Sequence, residues 1–435
     1  MKIILKNLWN RRGRYAWLFI ELIVVTALAW YILDKAVVSL SDSNTPVGYD
    51  VDRLAIVRVN SLPETSKKYV AGLDSAQRAA NFETFMNKLR HYEGVERISP
   101  QGQGNILNEG SISINKYQAG VAGDTLAKMQ YEVQFSGGTE YFETYGIKTL
   151  PGSPSPEELS AYNYNPGRHI VLTEDFARLY WPGENAVGKS FYYLNGEDTV
   201  RIYVAGVVEN VRYQSFVRTN VLAFGTWFTF LDKSWNEFDV VVRLKPGVDP
   251  REFAPRFAEW AAKNLNVGNL YVKSVTPYAD QIYETEYSRG IPAERNSQLA
   301  LAAFFLINLI LGVTGSFFLQ TRRRTAEMGV HRSFGATRSH IVRMLMGEGV
   351  ILATVAFIIG DFIMLQVLLK TGLDNGNNLN NMFNTINNWV GNFWQHFAVI
   401  SAVVYACILL CVLIGTFLPA WQASRVRPVD ALRDE

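Results

Sequence analysis

Four long apolar runs frame this chain. Three lie close together toward the C-terminus, Leu299–Leu319, Gly349–Leu369 and Phe397–Leu418, and one, Tyr15–Leu33, lies near the N-terminus. Each approaches the ~20 residues that cross a bilayer core as a helix. More than 260 residues of mixed, polar sequence separate the first run from the second. The pattern predicts one membrane helix, a large soluble domain and three further membrane helices, a layout that excludes most enzymes and most channels.

Within the soluble segment the periodicity shortens. Leu54, Ile56, Val57 and Val59 form an apolar strand run in Tyr49–Asn60. From Asp74 to His91, Ala76, Ala79, Ala80, Phe82, Phe85, Met86 and Leu89 repeat at helical spacing. Val95–Ser99 reads as the next strand. Downstream, Asp239–Leu244 is a strand, Pro250–Leu265 a helix with Phe253, Phe257, Trp260 and Ala261 on one face, and Leu270–Val275 a strand. Two β-α-β units bracketing an insert predict an α+β domain of two lobes. One is a ferredoxin-like β-α-β lobe from 50–100 and 237–280. The other is a β-rich insert over 101–235, dense in turn signals such as Gly137-Gly138 and Pro182-Gly183. Connections only near Gln101 and Trp235 would let the lobes move against each other.

Charge orients the spans. Lys2, Lys6, Arg11, Arg12 and Arg14 precede the first run. Arg322, Arg323, Arg324, Arg332, Arg338 and Arg343 fall between the second and third, and Arg425, Arg427 and Arg433 follow the fourth. Thr371–His396 has no Lys or Arg. By the positive-inside rule the three basic regions face the cytoplasm. The division expected is a cytoplasmic amphipathic segment at 1–14, helix 15–36, an external domain at 37–296, helix 297–320 and a cytoplasmic segment at 321–346. Helix 347–370, an external amphipathic loop at 371–396, helix 397–419 and a cytoplasmic tail at 420–435 complete it. That describes a multi-pass protein of the cell (inner) membrane with both termini inside. Ala27-Leu28-Ala29 resembles a signal-cleavage site, but the first run is taken as a retained signal anchor. In the 371–396 loop, Leu379, Met382, Phe383, Ile386, Val390, Phe393 and Trp394 predict an amphipathic helix with asparagines on its other face.

Composition adds little to this picture. The net charge is +2 and mean hydropathy is near zero, as a part-embedded chain would have. The basic excess sits at helix ends, which is a membrane signature and not a nucleic-acid footprint. Cys407 and Cys411 lie one turn apart in the last run, read as packing residues, and the external domain has no cysteine to form a disulfide.

Gly183–Ser190 matches the phosphate-loop pattern GxxxxGK[ST]. That chemistry needs a strand before the loop and a helix after it, so that backbone N–H groups and the helix dipole meet phosphate. Here Thr173–Tyr180 before it reads as helix and Phe191–Leu194 after it as strand, so the loop is read as a turn. The five histidines, His91, His169, His331, His340 and His396, are scattered without metal-ligand spacing. No catalytic residue and no metal site are expected. Inside the spans lie Glu21, Asn308 and Asp361, and intramembrane charge is costly enough to suggest a role. Glu21 is roughly 10 Å along the helix from Arg14, near the cytoplasmic interface. Asp361, with Asn308 as a partner, is open to a structural, an outer-interface or a gating reading.

Two cytoplasmic stretches resemble a known family. Arg322–Leu352, RRRTAEMGVHRSFGATRSHIVRMLMGEGVIL, carries Glu327, Gly329, Arg332, Gly335, Ala336 and Glu348. Pro419–Glu435, PAWQASRVRPVDALRDE, carries Pro419, Ala423, Arg425, Pro428, Ala431, Leu432 and Arg433. Both are similar to the MacB-like/FtsX-like permeases of ABC transporters, and Ile170–Asn210 resembles that family's extracytoplasmic core. The resemblance implies a four-span permease without a fused ATPase, whose 321–346 segment couples to a separate ABC ATPase subunit. Lipid anchoring by its arginines is the other reading. Arg425, Arg427, Pro428, Leu432 and Arg433 are expected to contact the ATPase or lipid headgroups. ATP and Mg belong to the ATPase, with no cofactor on this chain. The partners implied are that ATPase, a second identical or paralogous permease chain, lipid and an external adaptor or substrate protein, with no nucleic acid. The function implied is export or extraction of a lipoprotein, lipid, peptide or drug by movement of the external domain. The alternative is a membrane signalling protein controlling a cell-wall hydrolase or sensor.

Overall fold

The structure, a computed structural model, describes residues 12–101, 112–119, 128–134, 139–161, 169–195, 198–212, 222–225, 237–373 and 389–425. In chain order the first elements are α1 (Arg12–Asn44), β1 (Leu54–Ser61), α2 (Ser75–Arg90), β2 (Val95–Gln101), β3 (Ile112–Ala119) and β4 (Lys128–Gln134). Next come α3 (Tyr141–Tyr145), α4 (Pro156–Ala161), β5 (His169–Thr173), α5 (Glu174–Tyr180), β6 (Ser190–Asn195), β7 (Asp198–Val208) and β8 (Leu222–Gly225). The chain continues with β9 (Glu237–Leu244), α6 (Pro250–Asn264), β10 (Leu270–Pro277), α7 (Tyr278–Ser288) and α8 (Ile291–Arg322). It ends with α9 (Thr325–Ser333), α10 (Arg338–Thr371) and α11 (Phe393–Ser424). These residues divide into two compact units. One takes the chain up to Ser41 and the described residues from Pro292 onward, and the other takes Asp42–Ile291.

The soluble unit is an α+β domain built on a four-stranded antiparallel sheet in the order β10-β1-β9-β2. Its strands come from two β-α-β units, as in a ferredoxin-like fold. Asp74 starts α2 through a capping box: its carboxylate accepts from the Gln77 N–H at 2.7 Å, and Gln77 accepts from the Asp74 N–H at 3.0 Å. Asp249 caps α6 ahead of Pro250. One sheet face, with Val57, Val59, Val240 and Val242, packs on Phe85, Leu89, Phe253 and Phe257 of the two helices. The insert closes into a barrel in the order β3-β4-β8-β5-β7-β6, with β3 pairing β6 across the seam. Two of its pairings, β4–β8 and β5–β7, are parallel.

The expectation that the lobes meet only through their connections is overturned. Leu54, Ile56 and Val241 from the other sheet face share one core with Tyr141, Phe142, Tyr145, Val171, Val208, Leu222 and Phe224 of the insert. The central strands are thus covered on both faces, which is why Val240, Val241 and Val242 are apolar in succession and do not alternate. Close-packed interiors do not slide, so the lobes form one body.

The other unit holds four helices long and apolar enough to cross a membrane. Their inner faces meet in a core of Leu22, Trp30, Leu309, Phe317, Ala353, Ala356, Val404 and Ile408. Outward stripes such as Trp17, Ile20, Val24, Leu28 and Tyr31 on α1 stay exposed, as lipid-facing residues do. The first helix runs to Asn44, beyond the apolar run. Phe393, Trp394 and His396 belong to α11 and not to a separate loop helix. Asn392 caps that helix by accepting from the Gln395 N–H at 3.1 Å. The rest of the expected amphipathic helix, 374–388, lies outside the described residues, as do 1–11 and the tail positions Arg427, Pro428, Leu432 and Arg433.

Candidate coupling site

Between the second and third spans the chain folds into a knuckle: α9, a turn at Gly335, then α10. Gly335 has φ +89°, a conformation that a side chain would strain. Thr337 caps α10, its hydroxyl accepting from the His340 N–H at 3.2 Å. Beneath the knuckle Met328, Ile341, Leu345, Ala420 and Ala423 form a small core, against which Ala336 packs. This explains a segment too polar to span and too apolar for a loose loop.

A buried ion pair holds the knuckle to the third span. The Arg324 guanidinium donates to both Glu348 oxygens, at 2.6 and 3.3 Å, and its Nε donates to Glu327 at 3.1 Å. The side chains of Arg324 and Glu348 are 10 % and 4 % exposed. The two-pronged contact suits the planar fork of arginine. Arg332 donates to the Ser424 carbonyl at 3.3 Å, in the last turn of α11, where the helix dipole favours a cation. Gly329 is buried within the knuckle. Of the residues singled out in the sequence, Glu327, Arg332 and Glu348 are therefore internal struts. Outward face Val330 and Phe334, the latter 87 % exposed, with His331, Arg338, His340 and Arg343 exposed around them. At the far side Arg425 stacks on the Trp421 ring at 3.7 Å. Arg324 and Phe334 were missed as site residues. The signals for them were an arginine at the head of an amphipathic run and a large apolar residue just before a glycine break.

The intramembrane polar residues do not gather in one place. Asn308 donates to the Phe304 carbonyl of its own helix at 2.8 Å, so it is not the partner of Asp361. Asp361 accepts from Ser401 Oγ at 2.7 Å, and Ser401 in turn accepts from Trp30 Nε1 at 3.2 Å. Glu21 lies against the backbone of Gly312, where an added Cβ would stand 3.0 Å from Oε1.

In the soluble unit the end of α1 is stitched to the segment after β7. Arg212, 2 % exposed, donates through Nη1 to the carbonyls of Asp42 and Thr45 at 3.0 and 3.2 Å, and its N–H donates to Val47 at 2.8 Å. These carbonyls lie at the end of the helix, where backbone donors run out, and the buried guanidinium adds to the Thr45 N–H that reaches Asp42 at 3.3 Å. Gly48, at φ +87°, abuts Asn210, whose carbonyl oxygen would lie 2.0 Å from any Cβ. By contrast, α7 and α8 are separated by Arg289 and Gly290, the latter at φ +74°.

The Gly183–Ser190 loop follows α5 and leads into β6, so it opens a strand and not the helix that a phosphate loop requires. Lys189 pairs with Glu184, and Arg178 pairs with Glu174 and Asp175. The cleft beside the loop, about 250 Å³ and lined by Leu150, Glu174, Arg178 and Trp181, has its cations matched by carboxylates. Elsewhere in this unit the Glu143 carboxyl is half buried and pushed above its usual range by burial, although the Ser160 hydroxyl donates to it. Burial also raises the hydroxyls of Tyr49, Tyr141 and Tyr278 well above the usual phenol range. Among the described residues no His, Cys, Asp and Glu cluster could hold a metal ion.

The FtsX-like permease C-terminal family matches residues 299–428, the segment that contains α8, the knuckle, α10 and α11. No curated protein matches. Among solved structures, the periplasmic region of MacB from Actinobacillus actinomycetemcomitans is 14 % identical, with a TM-score of 0.30, over 53 % of this chain and 92 % of that one. The extracellular domain of the noncanonic ABC-type transporter YknZ from Gram-positive bacteria is 14 % identical, with a TM-score of 0.28, over 50 % and 100 %. Three spans and the knuckle between them therefore lie inside the segment, residues 299–428, that is similar to the FtsX-like permease C-terminal family.

Proposed function

We propose that the chain is the transmembrane subunit of an ABC transporter, and that it converts ATP hydrolysis by a separate ATPase chain into movement of its soluble domain. The family match over the segment that forms the knuckle carries this reading. The knuckle is the coupling element. Its internal ties, Arg324–Glu348 and Arg332–Ser424, make it move as one piece with the ends of α10 and α11. Its outer surface pairs an exposed aromatic with cations, the composition of a binding hot spot. The chain works with a second permease copy or paralogue. It transmits motion to its soluble domain and exports or extracts a lipoprotein, lipid, peptide or drug presented outside the cytoplasm. The basic residues of the knuckle and tail support a cytoplasmic location for both termini.

The test uses the full chain co-expressed with its ATPase and purified in detergent. Phe334→Ala should weaken ATPase association by about 30-fold or more, the loss expected for a hot-spot aromatic, with unfolding of the permease unchanged. Reversing Glu327 or Arg332 should weaken association together with stability, since each first disturbs an internal tie. Wild-type copurification and ATPase turnover in all three variants would refute the coupling assignment.

A further inference from the structure

One buried polar cluster of the membrane unit is used by none of this. Asp34 on α1 and His396 on α11 are 6 % and 1 % exposed. His396 Nε2 lies 2.5 Å from Asp34 Oδ1, and Nδ1 lies 2.9 Å from the Val390 carbonyl. A carbonyl oxygen can only accept, so Nδ1 carries a hydrogen. With that hydrogen on Nδ1, a neutral imidazole beside an ionised Asp34 would set the Nε2 lone pair against carboxylate lone pairs. A contact of 2.5 Å requires a hydrogen between them. The pair therefore holds one more proton than a neutral histidine and a free carboxylate would, and its net charge is zero. Without that proton the site would contain an uncompensated negative charge in an apolar interior, which is costly.

Aromatic walls enclose the pair. Trp30 stacks on His396 at 6.2 Å and Trp389 lies at 5.4 Å. Other charged groups on the surrounding elements are few. Lys35 follows Asp34 on α1. On α10, Asp361 is linked through Ser401 to Trp30, and Lys370 is exposed in the last turn. Helix α8 brings Glu294 and Arg295 in its first turns, and the 389–392 turn brings no charge.

We propose that Asp34 and His396 form a proton-binding site inside the membrane unit, and that the bound proton bolts α1 to the start of α11. The ligand is a proton and the site needs no other chain, so this inference is independent of the proposed function. Loss of the proton would put two lone-pair-bearing atoms face to face and release that end of α1 from α11.

The test is ¹⁵N-histidine solid-state NMR of the full chain in lipid bilayers. A variant with His91, His169, His331 and His340 all replaced by Gln leaves His396 as the sole histidine, and three of those four positions are exposed while His169 is half-buried. At neutral pH both ring nitrogens of His396 should appear protonated. Asp34→Asn in the same background should leave only one protonated ring nitrogen at neutral pH. If His396 is singly protonated at neutral pH with Asp34 intact, the proposal is overturned. It is equally overturned if Asp34→Asn leaves both nitrogens protonated. Should Asp34→Asn fail to fold, the Asp34-intact protein decides alone: a doubly protonated His396 ring supports the site, and a singly protonated ring refutes it.

Discussion

Replacing Arg324 by Ala should destabilise the membrane unit by about 3–5 kcal/mol, the cost of removing one partner from a buried ion pair. Glu348 would lose contacts of 2.6 and 3.3 Å while remaining 4 % exposed. Glu348→Leu should cost a similar amount, because the guanidinium would keep only the partly exposed Glu327 among these carboxylates. Removing both charges, as Arg324→Met with Glu348→Leu, should leave stability within about 2 kcal/mol of wild type, since apolar replacement of a buried pair is often neutral or better. The double-mutant cycle should then yield a coupling energy of roughly 3 kcal/mol or more, at the upper end for residues in contact. A solvent-screened pair would yield at most about 1 kcal/mol. The measurement is reversible unfolding of the purified chain in mixed SDS micelles, followed by tryptophan fluorescence. A coupling energy below about 1 kcal/mol would refute the pair's role as the strut of the knuckle.

Three further outcomes follow from the soluble unit. Gly48→Ala should destabilise it by about 2–4 kcal/mol through overpacking and a strained φ, because the new Cβ meets the Asn210 carbonyl at 2.0 Å; calorimetry showing an unchanged transition would count against the joint at the end of α1. Burial raises the Glu143 carboxyl above its reference value of 4.5, so the folded state holds the proton more tightly than the unfolded chain does. Its contribution to stability should therefore fall as pH rises from about 4.5 through the raised folded value and then level off, and Glu143→Gln should flatten that decline in thermal unfolding curves. Lys189→Ala removes one surface ion pair with Glu184 and should change stability by less than about 1 kcal/mol, with nucleotide hydrolysis by the assembled transporter unaltered; abolished hydrolysis would reinstate the phosphate loop.

The sequence by itself determined what depends on local order along the chain. Four apolar runs are sufficient to predict four membrane helices, because a bilayer imposes a length and a composition on any crossing helix. Asp74 with Gln77 announces the start of α2, and Gly335 followed by Thr337 announces the turn of the knuckle, because caps and glycine breaks are local chemistry. The order of helix, glycine loop and strand at Gly183–Ser190 was legible for the same reason, each being set by local spacing. Other features depended on which distant segments meet. No periodicity shows that Ile56 and Phe224 share a core, since both faces of a doubly covered strand look alike in sequence. Glu327 and Arg332 stood out as charges near a family pattern, yet their partners are Arg324 and the end of α11. Asp34 and His396 are 362 residues apart, and Arg212 is 170 residues from the carbonyl of Asp42 that it caps. A side chain's chemistry is written in the chain, but its desolvation and its partner exist only after packing, and those two quantities make Asp34, His396 and Arg212 significant.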